Sequence, residues 1–277
     1  MKNILKYVFI TLVFALLVVG IGYYLPSNPP TKTSEPFSNS EPEKLLDEDY
    51  IKNLGLMQGH LIAAKDLLNG GTPDQAQSHL EHPIEELYGE IKDKLKEEGV
   101  DNFKQNLEEL YDIAKYNPYS QDVTEKLGKS VVNIESAIDR FFEKNNNLQS
   151  PEFAEKVLIS ILNTASEEYE AAIGRNCKIV APIEYQDSFG FVKYVKNKLS
   201  EKSWVPDQTR EKMKSDVKNL LKAWSPDKDK PFKGKEIEPP NCLEALSPSG
   251  EKASVYPPEY PVMTPAQLSE EIAKISK

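Results

Sequence analysis

The spacing of apolar residues over residues 44–226 constrains the fold of this chain more than any other feature. Side chains suited to a helix face recur at intervals of three and four in two early stretches: Met57, His60, Leu61, Ala64 and Leu68, then Leu80, Ile84, Leu87, Ile91 and Leu95. This spacing turns one face of each helix toward a core. No segment alternates convincingly with the period of two that marks a half-buried strand. The sequence therefore predicts an all-α fold, a helical bundle over residues 44–226.

Helix breakers and caps divide the bundle region into further helices. Ser150, for example, offers an N-cap and is followed by Pro151 at the first helical position. The helices predicted on this basis are Asp101–Tyr116, Gln121–Lys144, Pro151–Ile173, Pro182–Glu201 and Pro206–Trp224. A shorter helix is predicted from Thr72 to near Glu81, with a new helix starting at Pro83.

The N-terminal residues 1–25 are predicted to be a transmembrane anchor, and residues 26–43 a flexible stalk. Tyr7–Leu25 is an uncharged apolar run, close to the roughly 20 residues that a helix needs to cross a bilayer. Lys2 and Lys6 precede it, so the positive-inside rule places the N-terminus in the cytoplasm. A cleaved signal peptide is the alternative, but no A-x-A-like site follows the run. We expect a single-pass protein of the bacterial cytoplasmic membrane, with its folded part facing the periplasm or exterior.

The C-terminal residues 227–277 are rich in proline. They are predicted to form an extended tail that can lie over the bundle. Thr264 as N-cap and Pro265 at the first helical position predict a short helix at the end of this tail.

An internal repeat is predicted within the bundle, with related units over about residues 44–145 and 151–226. The tripeptide Pro-Ile-Glu starts at residue 83 and again at residue 182, and a Lys-x-Lys-Leu segment follows each copy. Two related helical units would pack as one duplicated bundle. The second unit has other residues in place of histidine: Thr164 for His60, Lys178 for His79 and Ala181 for His82. The same helical arrangement can therefore form without histidine at these positions, so packing alone does not require the three histidines.

All three histidines of the chain lie within residues 60–82. Imidazole is a common ligand for zinc, copper and haem iron, and nearby carboxylates could complete a first shell. The residues of this candidate metal site are His60, His79, His82, Glu85 and Glu86. Because proline disfavours the α conformation in the residue before it, we expect His82 to lie with His79 at a corner between two helices. His60 can reach this corner if the turn at Gly70-Gly71 makes the helices antiparallel.

Three interpretations of the histidines remain open at this stage. They bind a transition metal or haem, as histidines in helical bundles often do. They are structural residues whose nitrogens are satisfied by backbone carbonyls or carboxylates. They form a pH-sensitive or partner-binding corner, since imidazole titrates near physiological pH.

A second polar cluster occurs in the segment "IEYQDSFGF" near the start of the predicted Pro182 helix. Its candidate residues are Glu184, Tyr185 and Asp187. Polar side chains at the start of a helix usually satisfy its free amides, so capping is the first expectation. The alternative is a ligand pocket shared with the histidine corner, with Asp187 and Glu86 as the residues to test.

Cys177 and Cys242 are far apart in sequence and form no C-x-x-C motif, which argues against a zinc knuckle or a dithiol redox site. Outside the cytoplasm they are a candidate disulfide. Two free thiols are the alternative, because sequence does not show how far apart the two residues lie.

The motifs of several enzyme and binding classes are absent from the sequence. It has no H-E-x-x-H, no phosphate-binding G-x-x-x-x-G-K-[ST], no G-x-S-x-G and no C-x-x-C-H for covalent haem. The net charge of −10 argues against nucleic acid as a partner. No catalytic residue is predicted, and the protein is expected to be non-catalytic.

The blocks "GHL", "HLEHPIEELYG" and "EYQDSFGF" resemble those of a group of bacterial membrane-anchored or secreted helical proteins, over most of Leu54–Leu199. The resemblance implies an extracytoplasmic helical domain and carries no catalytic assignment. The chain also resembles the imelysin-type helical bundles of iron uptake more distantly. It departs from their G-x-H-x-x-E pattern, because Gly59-His60 is followed by Leu61-Ile62-Ala63.

Two functions follow from these observations. The first is a membrane-anchored protein with a metal- or haem-binding histidine cluster. The second is a scaffold or assembly factor that holds a protein partner at the membrane surface, with purely structural histidines.

Overall fold

The computed structural model describes residues 45–175, 177–224, 253–257 and 261–277. The predicted anchor, the stalk and Cys242 lie outside these residues. None of the helices in the described part of the chain combines the length and low charge needed to span a membrane.

The described residues form helices, one isolated antiparallel bridge between Ile173 and Ile179, and no β-strand. The all-α prediction is therefore confirmed for them. The α-helices are α1 (Asp47–Asn69), α2 (Pro73–His82), α3 (Tyr88–Glu98), α4 (Lys104–Tyr116), α5 (Gln121–Lys144), α6 (Pro151–Ala172), α7 (Pro182–Ser200), α8 (Asp207–Leu220) and α9 (Pro265–Ile275). A π-turn (Pro83–Leu87) joins α2 to α3, and short 3-10 turns lie at Asn146–Leu148 and Leu221–Trp224.

The predicted helix bounds agree with the observed ones to within about one turn. Helix α5 has the predicted bounds, and Ser120 caps it by accepting a hydrogen bond from the Val123 amide. Helix α4 begins later than predicted, because the Asn102 side chain accepts a hydrogen bond from the Lys104 amide at 2.8 Å. Side chains just before both helices thus accept hydrogen bonds from free amides of the first turn, Ser120 as the N-cap of α5 and Asn102 one residue before the N-cap of α4.

The expectation that Pro83 separates two helices at a corner is wrong. His82 keeps α-helical angles, with φ −53° and ψ −43°, and the chain continues through the π-turn into α3. The Tyr88 amide donates to the Pro83 carbonyl, which is the i to i+5 bond of a π-turn. This wider turn accommodates a proline that has no amide hydrogen to donate. His79 and His82 therefore share one face of α2.

Helix α1 lies at the centre of the bundle and is buried on most of its surface. It packs against α2, α5, α6 and α7. Its closest approach is to α7, where both backbones carry glycine. A Cβ atom added to Gly190 would lie 2.3 Å from the Gly59 carbonyl oxygen, and one added to Gly59 would lie 2.4 Å from Cδ1 of Phe191. Glycine at both positions therefore allows α7 to lie directly against α1.

The described parts of the C-terminal region pack on the bundle. The Ser254 amide donates to the Trp224 carbonyl at 2.9 Å, and Val255 is buried. Helix α9 packs on α6 and α8, and Thr264 caps it together with Gln267 in a reciprocal capping box. The short closing helix is therefore observed where it was predicted. The division of the bundle into two related units stays a prediction.

Candidate metal centre

Three helices bring the three histidines together with one aspartate. Helix α1 provides His60, α2 provides His79 and His82, and α7 provides Asp187. One ligand-type atom from each of the four residues lies within 4.8 Å of those from the other three. The structure thus brings all three predicted histidines together beside one carboxylate, a set of residues that could hold a metal ion.

Asp187 lies at the centre of this cluster. Its Oδ1 atom is 2.6 Å from Nδ1 of His60 and 2.7 Å from Nδ1 of His79. Its Oδ2 atom is 3.3 Å from Nδ1 of His82. All three imidazoles therefore direct the same ring nitrogen toward one carboxylate. Because a carboxylate only accepts, each short contact requires a hydrogen or a metal ion between nitrogen and oxygen.

The close contact of α1 with α7 explains how residues so distant in sequence meet. Gly59 precedes His60, and Gly190 follows Asp187 by about one helical turn, so the glycine contact lies beside the cluster. On α2, His79 and His82 are three residues apart and face the same way. The cluster is buried, with side-chain exposures of 4% for His60, 0% for His79 and 4% for Asp187, while His82 is 21% exposed. His82 is thus the member that solvent can reach.

The other predicted residues are distributed around the cluster. Glu86 lies on the π-turn with its Oε1 atom 4.0 Å from Nε2 of His82, at the edge of the group. Glu85 is exposed on the same turn and is not among the converging residues. Tyr185 is buried on another side of α7 with its ring 6.0 Å from that of Tyr169. Glu184 is partly exposed and lies within electrostatic reach of Glu168.

The expectation that the polar segment of α7 caps its own helix is wrong for Asp187. Residue Ala181 holds the N-cap position, and no side chain caps the helix there. Asp187 lies more than one turn into the helix and bonds to the histidines instead. Asp187 thus lies beside the histidines, as in the alternative expectation, while the ligand pocket stays a prediction.

Sequence reasoning missed Glu168 on α6. Its carboxylate lies close enough to His82 and Asp187 to interact electrostatically with both. Burial, together with the negative charges of Asp187, Glu184 and Glu86, raises the pKa of Glu168 to about 8. Its neighbour Glu167 is exposed. No sequence signal separates these two glutamates, because the difference depends on which side of α6 faces α7.

Burial and the contacts within the cluster shift the pKa values of His60, His82 and Asp187. Burial lowers the pKa of His60. Burial also raises the pKa of Asp187, but the charges and hydrogen bonds of His60 and His79 outweigh it and hold this pKa well below its usual range. For His82, burial lowers the pKa, and the contacts with Asp187 and the charges of Glu86 and Glu168 together raise it to about 9. The pKa values of His60 and His82 thus shift in opposite directions, and His60 is the more deeply buried of the two.

The metal-free protein is expected to lose stability as the pH rises from about 6.5 to 9. The pKa of His82 rises from 6.5 to about 9 on folding, and that of Glu168 from 4.5 to about 8. The folded state therefore binds more protons than the unfolded state, between pH 6.5 and 9 at His82 and between pH 4.5 and 8 at Glu168, and stability falls as these protons leave. At about 1.4 kcal/mol per pKa unit the His82 shift alone corresponds to about 3 kcal/mol, and because the two groups interact and do not add, we expect a total loss of about 3 kcal/mol.

Denaturant unfolding at a series of pH values, with chelator present, measures this loss. The single variants His82→Gln and Glu168→Gln should each show a weaker dependence of the unfolding free energy on pH. Glu167→Gln, which alters the exposed neighbour, should leave it unchanged. A wild-type profile that is level between pH 6.5 and 9 would contradict the assignment.

The fold and the cluster together define a class of protein: an all-helical bundle with a buried site of three imidazoles and one carboxylate. Residues 144–238 are similar to a family described as "Iron permease-associated 4-helix bundle domain". This match covers about a third of the chain. It includes α6, α7 and α8, and therefore Asp187, whereas the three histidines precede it. No match was found among curated proteins or among solved structures.

Proposed function

We propose that this chain is a non-catalytic metal-binding protein that holds one transition-metal ion at His60, His79, His82 and Asp187. The observation that carries the proposal is the convergence of four donor atoms within 4.8 Å from three different helices. Bundle proteins often bind metals in this way, with ligands projecting inward from facing helices. The similarity of residues 144–238 to a domain named for its association with iron permeases makes iron the first candidate.

The donor set supports a transition metal of intermediate softness. Three imidazole nitrogens and one carboxylate oxygen suit iron, zinc, nickel and Cu(II). Calcium and magnesium prefer oxygen ligands throughout. A haem takes one or two axial ligands and needs a cavity for its ring, whereas here four donors point to one position. We therefore propose that the site binds a bare ion and not haem.

The size of the cluster also fits an ion after a small adjustment. With bonds of about 2.0–2.1 Å, the donors around a tetrahedral ion lie about 3.3 Å apart. The two short contacts of Asp187 Oδ1, at 2.6 and 2.7 Å, would each lengthen by about 0.6 Å, as follows from those bond lengths. Nδ1 of His82 is buried and lies 3.3 Å from Oδ2 of Asp187, at an angle that does not make a hydrogen bond. An ion at the centre would give this nitrogen a partner.

Local charge favours a cation at the same place. Asp187 is accompanied by carboxylates of Glu86, Glu168 and Glu184. Within the described ranges, none of these four acids forms an ion pair with lysine or arginine. A divalent ion would offset a negative charge that the protein otherwise balances with its histidines. The exposed edge of His82 offers the ion a route in.

A scaffold with structural histidines is the second candidate function. The observation that favours it is the length of the two short contacts, since 2.6 and 2.7 Å are hydrogen-bond distances. A network of this kind can join α7 to α1 and α2 without a metal. The two candidates differ in whether the purified protein takes up an ion.

Metal content and affinity separate the two functions. The protein is loaded with Fe²⁺ under anaerobic conditions, or with Zn²⁺ or Cu²⁺, and the metal is measured by mass spectrometry and calorimetry. We expect one equivalent of metal, and we expect Asp187→Asn and His60→Gln to weaken binding beyond the roughly 10- to 100-fold typical of outer-shell changes. Glu85→Gln, on the exposed side of the π-turn, is the matched control and should bind normally. If the wild-type protein neither binds any of the three ions nor is stabilised by them, the metal-binding function is rejected and the scaffold function is favoured.

The proposal places this site outside the cytoplasm, on a protein anchored by Tyr7–Leu25. The support is the charge-free length of that run and the lysines before it. Mass spectrometry of the mature protein from membranes tests the anchor. A mature chain that starts after the run would replace it with a cleaved signal peptide.

A further inference from the structure

His79 is held at both ring nitrogens. Its Nδ1 atom faces Asp187 Oδ1 at 2.7 Å, and its Nε2 atom faces the side-chain oxygen of Gln186 at 2.8 Å. His79 and Gln186 are both 0% exposed, so bulk water does not compete for these contacts. The Gln186 amide nitrogen in turn donates to Oε1 of Gln75 at 2.7 Å. The Gln186 side chain thus contacts α2 at two residues: its oxygen faces His79, and its nitrogen donates to Gln75.

Hydrogen-bond chemistry gives this contact a consequence. An amide oxygen only accepts, so Nε2 of His79 must carry the hydrogen. A neutral imidazole has one such hydrogen, which leaves a lone pair on Nδ1 directed at Asp187 Oδ1. With a neutral ring two acceptors would face each other at 2.7 Å, so the contact requires either a second ring hydrogen, as in an imidazolium, or a metal ion. A metal ion at the proposed site satisfies both atoms.

We propose that Gln186 is a positioning residue that selects the Nε2–H tautomer of His79 and so presents Nδ1 to the metal. The inference rests on the metal-binding function proposed above. Ligating histidines commonly donate their other ring hydrogen to a carbonyl or carboxylate, which fixes the orientation of the ring. Here the adjacent residues Gln186 and Asp187 of α7 hold the two nitrogens of one ring. The amide is therefore part of the site although it does not touch the ion.

In the described structure, neither of the other two histidines has a hydrogen-bond partner at the ring nitrogen that faces away from Asp187. The His60 ring packs edge-on against Phe191 with ring centres 4.9 Å apart, and no described hydrogen bond reaches its Nε2 atom. His82 has its Nε2 atom 4.0 Å from Glu86, beyond hydrogen-bond distance. His79 is therefore the ligand whose tautomer the surrounding protein determines.

Two substitutions at position 186 test the inference with Zn²⁺ as the probe. Gln186→Met keeps the length of the side chain but removes the acceptor, and we expect about 10- to 100-fold weaker Zn²⁺ binding. Gln186→Glu keeps an acceptor that cannot donate, and it should bind Zn²⁺ at least as well as the wild-type protein. If Gln186 instead donated a hydrogen to His79, the glutamate variant would lose as much affinity as the methionine variant. That result would overturn the proposal.

Nitrogen-detected NMR of the imidazole rings in the Zn²⁺-loaded full-length protein provides a second measurement. We expect His79 to carry hydrogen on Nε2 and zinc on Nδ1, and the opposite assignment would overturn the proposal. Gln121→Met is the matched control, because Gln121 is exposed and far from the cluster in the fold. Thermal unfolding without metal shows whether each variant is folded. Absence of Fe²⁺, Zn²⁺ and Cu²⁺ binding by the wild-type protein would reject the proposed function itself, whereas normal Zn²⁺ binding by Gln186→Met would reject only the role of Gln186.

Discussion

Replacement of Gly190 by alanine is expected to destabilise the metal-free protein by about 3 kcal/mol. The new Cβ atom would lie 2.3 Å from the carbonyl oxygen of Gly59, and a backbone atom cannot move aside as a side chain can. Helices α1 and α7 must separate or shift, which is the overpacking that costs about 1–3 kcal/mol, or more, in well-packed cores. Asp187 moves with α7, so metal binding should weaken as well. Denaturant unfolding and calorimetry measure the two effects.

Gly128→Ala is the matched control for this change. Gly128 lies in the middle of α5, is exposed, and has open space where a Cβ atom would lie. Alanine there should stabilise the helix by up to about 1 kcal/mol, because glycine is the poorer helix former. Opposite signs for the two substitutions are the expected pattern. Equal stability of Gly190→Ala and the wild-type protein would show that α1 and α7 are not in close contact.

Replacement of Trp224 by alanine is expected to cost about 3–5 kcal/mol, the usual range for loss of a large buried aromatic side chain. Trp224 is fully buried, and its ring lies 5.2 Å from that of Tyr169 and 6.3 Å from that of Phe189. Its indole nitrogen donates to the Ser188 hydroxyl at 3.2 Å, next to Asp187. The residue therefore supports α7 on the side away from the histidines.

The conservative variant Trp224→Phe separates packing from hydrogen bonding. It retains an aromatic ring but loses the bond to Ser188, so we expect a smaller cost of about 1–2 kcal/mol from that bond and the reduced volume. Chemical unfolding of the three proteins gives the order wild type, phenylalanine, alanine. An alanine variant that loses less than the phenylalanine variant would contradict this description of the core.

Local signals in the sequence predicted most helices well. The bounds of α5 and the capping box of α9 follow from side chains within one turn of the helix end. Such contacts depend on neighbours in the sequence, so a single chain reveals them. Pro83 shows the limit of this reasoning. The residue before a proline usually leaves the α conformation, yet here a π-turn lets the helix continue while α1 packs against it.

The candidate site divides in the same way between local and tertiary contributions. His60, His79 and His82 lie within a short segment of the sequence, and this clustering predicted a ligand site. Asp187 was recognised as polar and near a helix start, but its contact with the histidines was only one of two expectations. Glu168 carried no signal, because glutamate is common on exposed helix faces. Gln186 belonged to the polar segment of α7, but the sequence did not show that it contacts His79.

The sequence by itself determined that this chain forms helices, where most of them begin and end, and that its histidines lie within one short segment. Only the tertiary structure decided that Asp187 meets His60 across 127 positions of chain. The physical reason is the glycine contact between α1 and α7, which sets the distance and rotation of two helices that share no local interactions. Helix formation depends on neighbouring residues, whereas the choice of facing side chains depends on how distant surfaces pack.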